Sequence, residues 1–519
     1  MKTNMSGKFI IWGFFGLAVV AAAAVLILNV NRKSAGSSPA PDYWPTDGWR
    51  ESTPEEQGLD SGKLADALLA VREQKVNIHS LLIVRNGRII VDAYFYPYNG
   101  TSVHNLRSVT KSVTTTLIGI AVDQGKLRLD QPMISFFPDI VLSRPDPQLE
   151  TVTIKDLVMM ANGLESLGMA QDEGTLQQME FSDDYLQFAL DRKVVDKPGT
   201  RFVYDSPGMH ILSGVIQNAT GLTELEYARQ VLFEPLGIRE AVWPSDPQGY
   251  TYGWGDLHLL PRDAAKIGYL WLYGGLWEGE QLISADWVKA ASQTQIETGM
   301  DDNYSYGWWI SEDSNTTSAM GRGGQYIKVE PDYNAVVVAT GAGWDYDQIA
   351  PLLVASVVDL ENPLPPNPKG MAKLNAALQT IREAPPAEAV TPLPPIAEAI
   401  SGKIYEFDPN PAHLETIIFN FNDSVEGSFT ATFDNGEPQF YEVFGLDGSL
   451  HIFNGEYGLP AGDCGHWIDN STFLLKRETI AGGEAFEYVV HFDGDRFTMT
   501  QSERSHTGGP TFTGRLQNR

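Results

Sequence analysis

The chain has 519 residues, of which 43% are hydrophobic and 20% charged, so it has the composition of a folded globular protein and not of a disordered or fibrous one. This length exceeds what one hydrophobic core usually organises, and two folded domains are expected. A formal net charge of -29 would repel a phosphate backbone, which argues against nucleic acid as a partner, and the single cysteine excludes an intramolecular disulfide.

The first predicted element is an apolar helix within residues 1–33. Its apolar run, Phe9 to Leu28, is long enough at about 1.5 Å per residue to cross a hydrocarbon layer of roughly 30 Å. A cleavable signal is the alternative, since Ala21 to Ala24 offers a small-residue cleavage site. We favour a transmembrane anchor because Val25 to Leu28 prolongs the run. Both alternatives place the rest of the chain outside the cytoplasm, membrane-anchored in the first case and secreted in the second.

Residues 34–48 are rich in Ser, Gly and Pro and are predicted to be a linker. Helical and strand patterns then alternate over residues 49–362, which predicts an α/β domain. Near its start, His79 to Val91 is predicted to be a strand hairpin, because Asn86-Gly87 favours the positive backbone angles of a tight turn.

A helix with an unusual first turn follows the hairpin. It is predicted to run through Val122 and to end at Gly125, and its broad apolar surface indicates burial. Ser108 and Lys111, three residues apart, share one face of this helix with about 5–6 Å between their Cβ atoms. A serine hydroxyl needs a neighbouring base, and lysine can serve when burial lowers its pKa. One Ser-x-x-Lys is expected by chance in such a chain, so the motif alone is weak.

Two further segments carry polar groups in the same order along the chain. Tyr204 and Ser206 form a Tyr-x-Ser, whose phenol and hydroxyl can share one side of an extended loop and assist proton transfer. Farther on, Ala319-Met320-Gly321-Arg322-Gly323-Gly324-Gln325 is a glycine-rich lead into a strand, where a ligand's backbone can approach closely. Without context, Tyr204 is a structural tyrosine and the glycine-rich segment a simple turn.

Residues 363–398 hold Pro-Leu-Pro-Pro twice and are predicted to be a Pro-rich linker, with a short helix between at Met371 to Arg382. Beyond it, residues 399–519 contain about nine short aromatic and β-branched runs separated by turn signals, which predicts an antiparallel barrel or sandwich. Cys464 and His466 lack a second ligand pair at metal-binding spacing, so neither a metal nor any other cofactor is predicted.

The three motifs, together with Val152 to Leu164 between them, resemble the serine β-lactamase-like superfamily. The similarity is to the branch of class C β-lactamases, family VIII esterases and 6-aminohexanoate-dimer hydrolases. It covers about residues 49–362 and includes Leu260 to Gly268 and Tyr306 to Trp309. The resemblance implies an antiparallel sheet flanked by helices with a helical subdomain, and the C-terminal part resembles the lipocalin-like modules that follow this domain in some relatives.

The resemblance also implies roles for individual residues. Ser108 would be acylated, Lys111 and Tyr204 would transfer protons, and the backbone N–H groups of Ser108 and Arg322 would form the oxyanion hole. Substrate contacts would come from four residues of the second and third motifs: Ser206, Gly321, Gly323 and Gln325. The third motif departs from the family pattern, because Ala319-Met320-Gly321 stands where β-lactamases carry Lys-Thr-Gly or His-Thr-Gly. The contact with a substrate carboxylate is therefore missing, which disfavours penicillins.

The sequence thus predicts an exported serine hydrolase that cleaves a small ester or a peptide-like amide through an acyl-enzyme. One alternative is a non-catalytic cell-surface binding module on the same fold, and another is a peptidoglycan DD-peptidase or penicillin-binding protein. A Ser-His-Asp triad is disfavoured because no Gly-x-Ser-x-Gly elbow occurs, and His104, four residues before Ser108, is interpreted as structural.

Overall fold

The computed structural model describes residues 41–167, 173–390, 392–421, 425–436, 439–504 and 509–517. The predicted N-terminal anchor, residues 1–33, lies outside this part of the chain. Among the described residues no helix is long and apolar enough to cross a membrane. Pro39–Arg519 form one compact unit.

The first part of this unit is built on an eight-stranded sheet with the order β1-β3-β2-β13-β12-β11-β10-β9. Neighbouring strands are antiparallel except β1 and β3, which pair in parallel at the edge. The strands up to β13, including short ones outside this sheet, are β1 Arg50–Glu51, β2 Ile78–Arg85, β3 Arg88–Tyr94, β4 His104–Asn105, β5 Ala241–Val242, β6 His258–Leu259, β7 Leu276–Trp277, β8 Glu280–Gln281, β9 Asn303–Ser305, β10 Trp308–Ser311, β11 Thr316–Gly321, β12 Gln325–Glu330 and β13 Ala335–Gly341.

The sheet separates two hydrophobic cores, because successive side chains of a strand point to opposite faces. In β2, Leu82 and Val84 belong to the larger core, whereas Leu81 and Ile83 belong to the smaller one. The predicted hairpin over residues 79–91 is confirmed, and Asn86 and Gly87 at its turn have φ of 47° and 74°.

Helices cover both faces of the sheet. The larger core includes side chains of Val109–Asp123, Ser206–Thr220 and Pro261–Leu272, and the smaller core those of Ser61–Glu73 and Pro368–Arg382. The remaining α-helices are Ile154–Val158, Glu173–Glu180, Tyr185–Leu190, Glu224–Ala228, Glu234–Leu236, Ala285–Ala291, Ala350–Val354 and Pro395–Ile400. The predicted α/β domain, a sheet flanked by helices, is thereby confirmed, and its strands are antiparallel except for the pair β1 and β3.

Within the segment predicted to be a Pro-rich linker, residues 368–382 are helical. This helix buries Leu374, Ala377 and Ile381 in the smaller core of the first domain. This part of the segment is therefore not a solvated spacer, because three apolar side chains at helical spacing are buried against the first domain.

The C-terminal part is a barrel, as predicted. Its strands are β14 Ile404–Phe407, β15 Leu414–Phe421, β16 Glu426–Phe433, β17 Phe440–Gly445, β18 His451–Asn454, β19 Pro460–Trp467, β20 Thr472–Thr479, β21 Glu484–Asp493, β22 Arg496–Glu503 and β23 Thr511–Leu516. A pairing between β17 and β19 closes nine of these strands into a ring, and β18 lies outside it against β19. Aromatic side chains such as Phe419, Phe444 and Phe473 fill the barrel core.

Candidate active site

Ser108 lies at the start of the buried helix Val109–Asp123, in a turn with a strained backbone. Arg107 immediately before it has φ of 50°, a left-handed conformation that costs a non-glycine residue free energy and is common at functional sites. As the residue that caps the helix, Ser108 has an amide N–H with no acceptor inside the helix. The turn therefore presents both the hydroxyl and the amide of Ser108 to a ligand.

Lys111 is one turn along the helix, and its Nζ atom lies 2.9 Å from Ser108 Oγ. The same nitrogen donates a hydrogen bond of 2.6 Å to the Trp254 carbonyl oxygen and lies 4.9 Å from the centre of the Tyr204 ring. Lys111 is only 2% exposed. A lysine at this distance, held away from bulk water, has the geometry of a base for the Ser108 hydroxyl.

Tyr204 enters the site from the segment that precedes the helix Ser206–Thr220. Its ring stacks on Trp309, with centroids 6.0 Å apart and planes 23° apart. The next residue, Asp205, fixes this segment through its side chain. Its carboxylate accepts hydrogen bonds of 2.7 and 3.0 Å from Arg192 and one of 2.7 Å from Asn162. The structure thus brings Ser108, Lys111 and Tyr204 together.

The glycine-rich third motif closes the other side of the site. Gly321 ends β11, and a Cβ atom added there would lie 2.4 Å from the Leu106 carbonyl oxygen and 3.0 Å from the Ser108 amide nitrogen. Only glycine permits this approach. Arg322 directly follows Gly321, as the first residue of the three-residue turn to β12.

The predicted substrate-contacting residues fall into two groups. Gly321 and Gly323 are half-buried, Gly321 beside Ser108 and Gly323 facing Gly483 of the barrel, whereas Ser206 is 4% exposed and Gln325 is fully buried. The Gln325 amide group donates to the carbonyl oxygens of Arg322 and Gly341 and accepts from the Gly341 amide. The structure thus places Gln325 behind the turn, where it fixes the Arg322 peptide.

The sequence reasoning missed the aromatic wall beside Lys111. Trp254, whose carbonyl oxygen binds Lys111, packs against Tyr252 with ring centroids 4.3 Å apart. Tyr252 in turn stacks on Tyr185, and Tyr457 of the barrel lies against His258 on the same segment. The burial of these phenols raises the pKa of Tyr252 and of Tyr457. The sequence signal that could have indicated this wall is Gly253-Trp254-Gly255, but it contains no chemically reactive side chain.

His104 is a neutral structural residue in this arrangement. Its Nδ1 lies 2.8 Å from the Asn105 carbonyl oxygen and must donate to it, so its Nε2 accepts from His79 Nδ1, 2.9 Å away. Burial lowers the pKa of both histidines, that of His79 to about 3. With both ring nitrogens engaged, His104 does not serve as the base for Ser108.

A metal role for Cys464 gains no support from the geometry. No group of three or more His, Cys, Asp or Glu residues able to hold a metal occurs in the described part of the chain. Burial raises the pKa of the Cys464 thiol to about 11, which keeps it protonated and unreactive.

Comparison with known proteins places this geometry in a family. The family model described as Beta-lactamase matches residues 64–358. The 6-aminohexanoate-dimer hydrolase of Paenarthrobacter ureafaciens is 24% identical over 319 residues, which are 57% of this chain and 81% of the relative.

Two solved structures are similar at lower sequence identity. EstCE1, a hydrolase with promiscuous acyltransferase activity, is 16% identical, with a TM-score of 0.49 over 58% of this chain and 99% of its own. The octameric penicillin-binding protein homologue from Pyrococcus abyssi is 18% identical, with a TM-score of 0.45 over 88% of this chain and 100% of its own.

Proposed function

Because the chain belongs to the beta-lactamase family, which includes hydrolases, we propose that it is a serine hydrolase that cleaves a neutral ester or amide through an acyl-enzyme on Ser108. The observation that carries the proposal is the 2.9 Å contact between Lys111 Nζ and Ser108 Oγ. A buried helix start supplies the nucleophile, its base and an amide donor within one turn of backbone.

The reaction begins when the neutral amine of Lys111 takes the hydroxyl proton of Ser108 as Oγ attacks the substrate carbonyl carbon. The carbonyl oxygen becomes an oxyanion held by the backbone N–H groups of Ser108 and Arg322. Collapse of this intermediate breaks the C–O or C–N bond, and the leaving group takes a proton from Lys111 through the Tyr204 hydroxyl. Water then attacks the acyl-enzyme, which releases the acid and restores Ser108.

The charges around the site favour a substrate without a carboxylate. Met320 occupies the position at which Lys-Thr-Gly motifs place a hydroxyl, and Ala319 the position of their lysine. The guanidinium of Arg322 points to the barrel, where it contacts Glu484 at 3.3 Å and Glu503 at 3.8 Å. Its positive charge is thereby compensated before a substrate arrives.

The aromatic side chains near Lys111 and Tyr204 favour an apolar acyl or leaving group. Tyr252 of the aromatic wall and Trp309, which stacks on Tyr204, are half-buried and offer flat apolar surface that an uncharged substrate would cover. The relative from Paenarthrobacter ureafaciens is named for hydrolysis of an aminohexanoate dimer, which is an amide. Both short-chain nitrophenyl esters and linear amides therefore belong in the substrate panel.

The test is an intact-mass measurement of the protein after exposure to a fluorophosphonate and, in a parallel sample, to a labelled penicillin. We expect one adduct with the fluorophosphonate, none with the penicillin, and loss of the adduct in Ser108→Ala. A penicillin adduct would favour the penicillin-binding alternative. The absence of any adduct in the wild type would contradict the enzymatic proposal and favour a binding module.

We also propose that the chain is exported, with its N-terminal apolar segment as an anchor or as a cleaved signal. The proposal depends on the apolar run Phe9 to Leu28 alone. Fractionation of cells that express the full chain tests it: recovery of the hydrolase in the cytoplasmic fraction would contradict it.

A further inference from the structure

One hairpin of the barrel contacts the first domain at the strand that precedes Ser108. The residues that join β20 to β21 bury Ile480 and Ala481 against Tyr94 and Tyr98 of the first domain. The Ala481 carbonyl oxygen accepts a hydrogen bond of 2.7 Å from the amide of Asn105. The barrel is thus bound to the strand that leads into the Ser108 turn.

The same hairpin holds the side chain of Arg107. The Gly482 carbonyl oxygen accepts hydrogen bonds from the Arg107 guanidinium at 2.6 and 3.1 Å, and Glu484 pairs with the guanidinium at 2.9 Å. Asp256 of the catalytic domain contributes a further contact at 3.4 Å. Although burial alone would lower the pKa of Arg107, the carboxylates of Glu484 and Asp256 raise it. Arg107 therefore stays charged and is fixed from both domains.

Glu484 also pairs with Arg322, at 3.3 Å from the same carboxylate oxygen that contacts Arg107. The Ser108 N–H, the first proposed oxyanion donor, belongs to the peptide group that joins Arg107 to Ser108. Arg322 carries the second N–H of the proposed oxyanion hole. One carboxylate of the barrel therefore holds the two arginines whose backbones carry the two oxyanion donors.

The backbone conformation of Arg107 needs support from contacts such as those of the barrel hairpin. Its left-handed conformation is unfavourable for a residue with a side chain and persists only where the surroundings enforce it. The hydrogen bond of 2.7 Å from the Arg107 amide to the Asn105 side chain fixes one end of the turn, and the hairpin fixes the side chain at the other.

We propose that Glu484 is a positioning residue for the oxyanion hole, so that the C-terminal barrel is part of the catalytic machinery and not only an appended module. This proposal rests on the proposed function. It deepens that function by assigning to the barrel the alignment of the Ser108 and Arg322 amides. The alignment, not substrate binding, depends on Glu484.

The experiment replaces Glu484 by Gln in the full chain, which keeps the shape of the side chain and removes its charge. The matched control is Glu487→Gln on the same strand, whose ion pair with Lys476, at 3.4 Å, lies within the barrel. Rates are divided by the concentration of active serine titrated with a fluorophosphonate, so that a loss of folded protein does not lower the measured kcat.

For Glu484→Gln we expect kcat on a short-chain nitrophenyl ester to fall by about tenfold to a hundredfold, with KM within about twofold of the wild type. The rate constant of fluorophosphonate inactivation should fall in parallel, because the adduct uses the same two donors. Glu487→Gln should leave all three quantities unchanged. A Glu484→Gln variant with wild-type kcat would overturn the proposal and leave the barrel a purely structural partner.

Arg322→Gln breaks the same pair from the other side and provides the test if Glu484→Gln does not fold. We expect a loss of kcat here too, and in the double variant a loss smaller than the sum of the two single losses, since both changes remove the Arg322–Glu484 pair. Additive losses would overturn the proposal. If the wild-type protein forms no adduct at Ser108, the proposed function itself is overturned. If the wild type is labelled normally and Glu484→Gln has the same kcat as the wild type, only the role of Glu484 is overturned.

Discussion

The ion pair beneath Tyr204 gives a prediction whose magnitude follows from burial. Asp205 and Arg192 are 2% and 4% exposed at their side chains, and two hydrogen bonds of 2.7 and 3.0 Å join them. Asp205→Asn keeps the size of the side chain but leaves the guanidinium without a counter-charge. Removing one partner of a buried pair costs about 3–5 kcal/mol of unfolding free energy. We expect a loss of that size.

The same segment supplies a control that differs mainly in exposure. Arg201 and Asp196 also form an Arg–Asp pair, but they are 61% and 36% exposed. Exposed pairs contribute about 0–1 kcal/mol because water and salt screen them. Asp196→Asn should therefore lower the unfolding free energy by less than about 1 kcal/mol.

The assay is urea unfolding of both variants, followed by ester kinetics on the folded protein. Because Asp205 adjoins Tyr204 in the chain, we expect Asp205→Asn to lower kcat by at least about tenfold, whereas Asp196→Asn should not change it. The reasoning is refuted if the two variants lose equal unfolding free energy. It is refuted equally if Asp205→Asn is strongly destabilised but turns over at the wild-type rate, since the pair would then not aim Tyr204.

Three further predictions concern other residues. Lys111→Ala should lower turnover of a nitrophenyl ester by at least about a hundredfold, the size of general-base effects, and a near-normal rate would remove Lys111 from the mechanism. Gly321→Ala should lower kcat by at least about tenfold, because its Cβ would lie 2.4 Å from the Leu106 carbonyl oxygen; unchanged kinetics would show that β11 shifts without consequence. Burial raises the pKa of Glu224 to about 8, so the folded state holds its proton when the unfolded state has lost it. Wild-type stability should accordingly fall relative to Glu224→Gln by about 1.4 kcal/mol per pH unit from about pH 5 to pH 8, measured by urea unfolding, and parallel pH profiles would contradict this.

The amino-acid sequence determined the local elements and the relative placement of Ser108 and Lys111, because these depend on short-range patterns. The hairpin over residues 79–91 follows from Asn86-Gly87, and the shared helix face of Ser108 and Lys111 follows from helical geometry alone. The barrel follows from alternating aromatic runs. Each of these signals is complete within a few tens of residues, so no knowledge of distant contacts is needed to read it.

The tertiary structure decided what surrounds the reacting groups. Arg107 and Gly482 are 375 positions apart, and no local pattern indicates that the barrel hairpin would hold the turn before Ser108. Arg322 follows the third motif directly, yet its side chain pairs with Glu484 and Glu503 of the barrel. Gln325 is buried by its bonds to a neighbouring strand. Ion pairs and buried amides depend on which segments meet in space, and a single sequence does not record that.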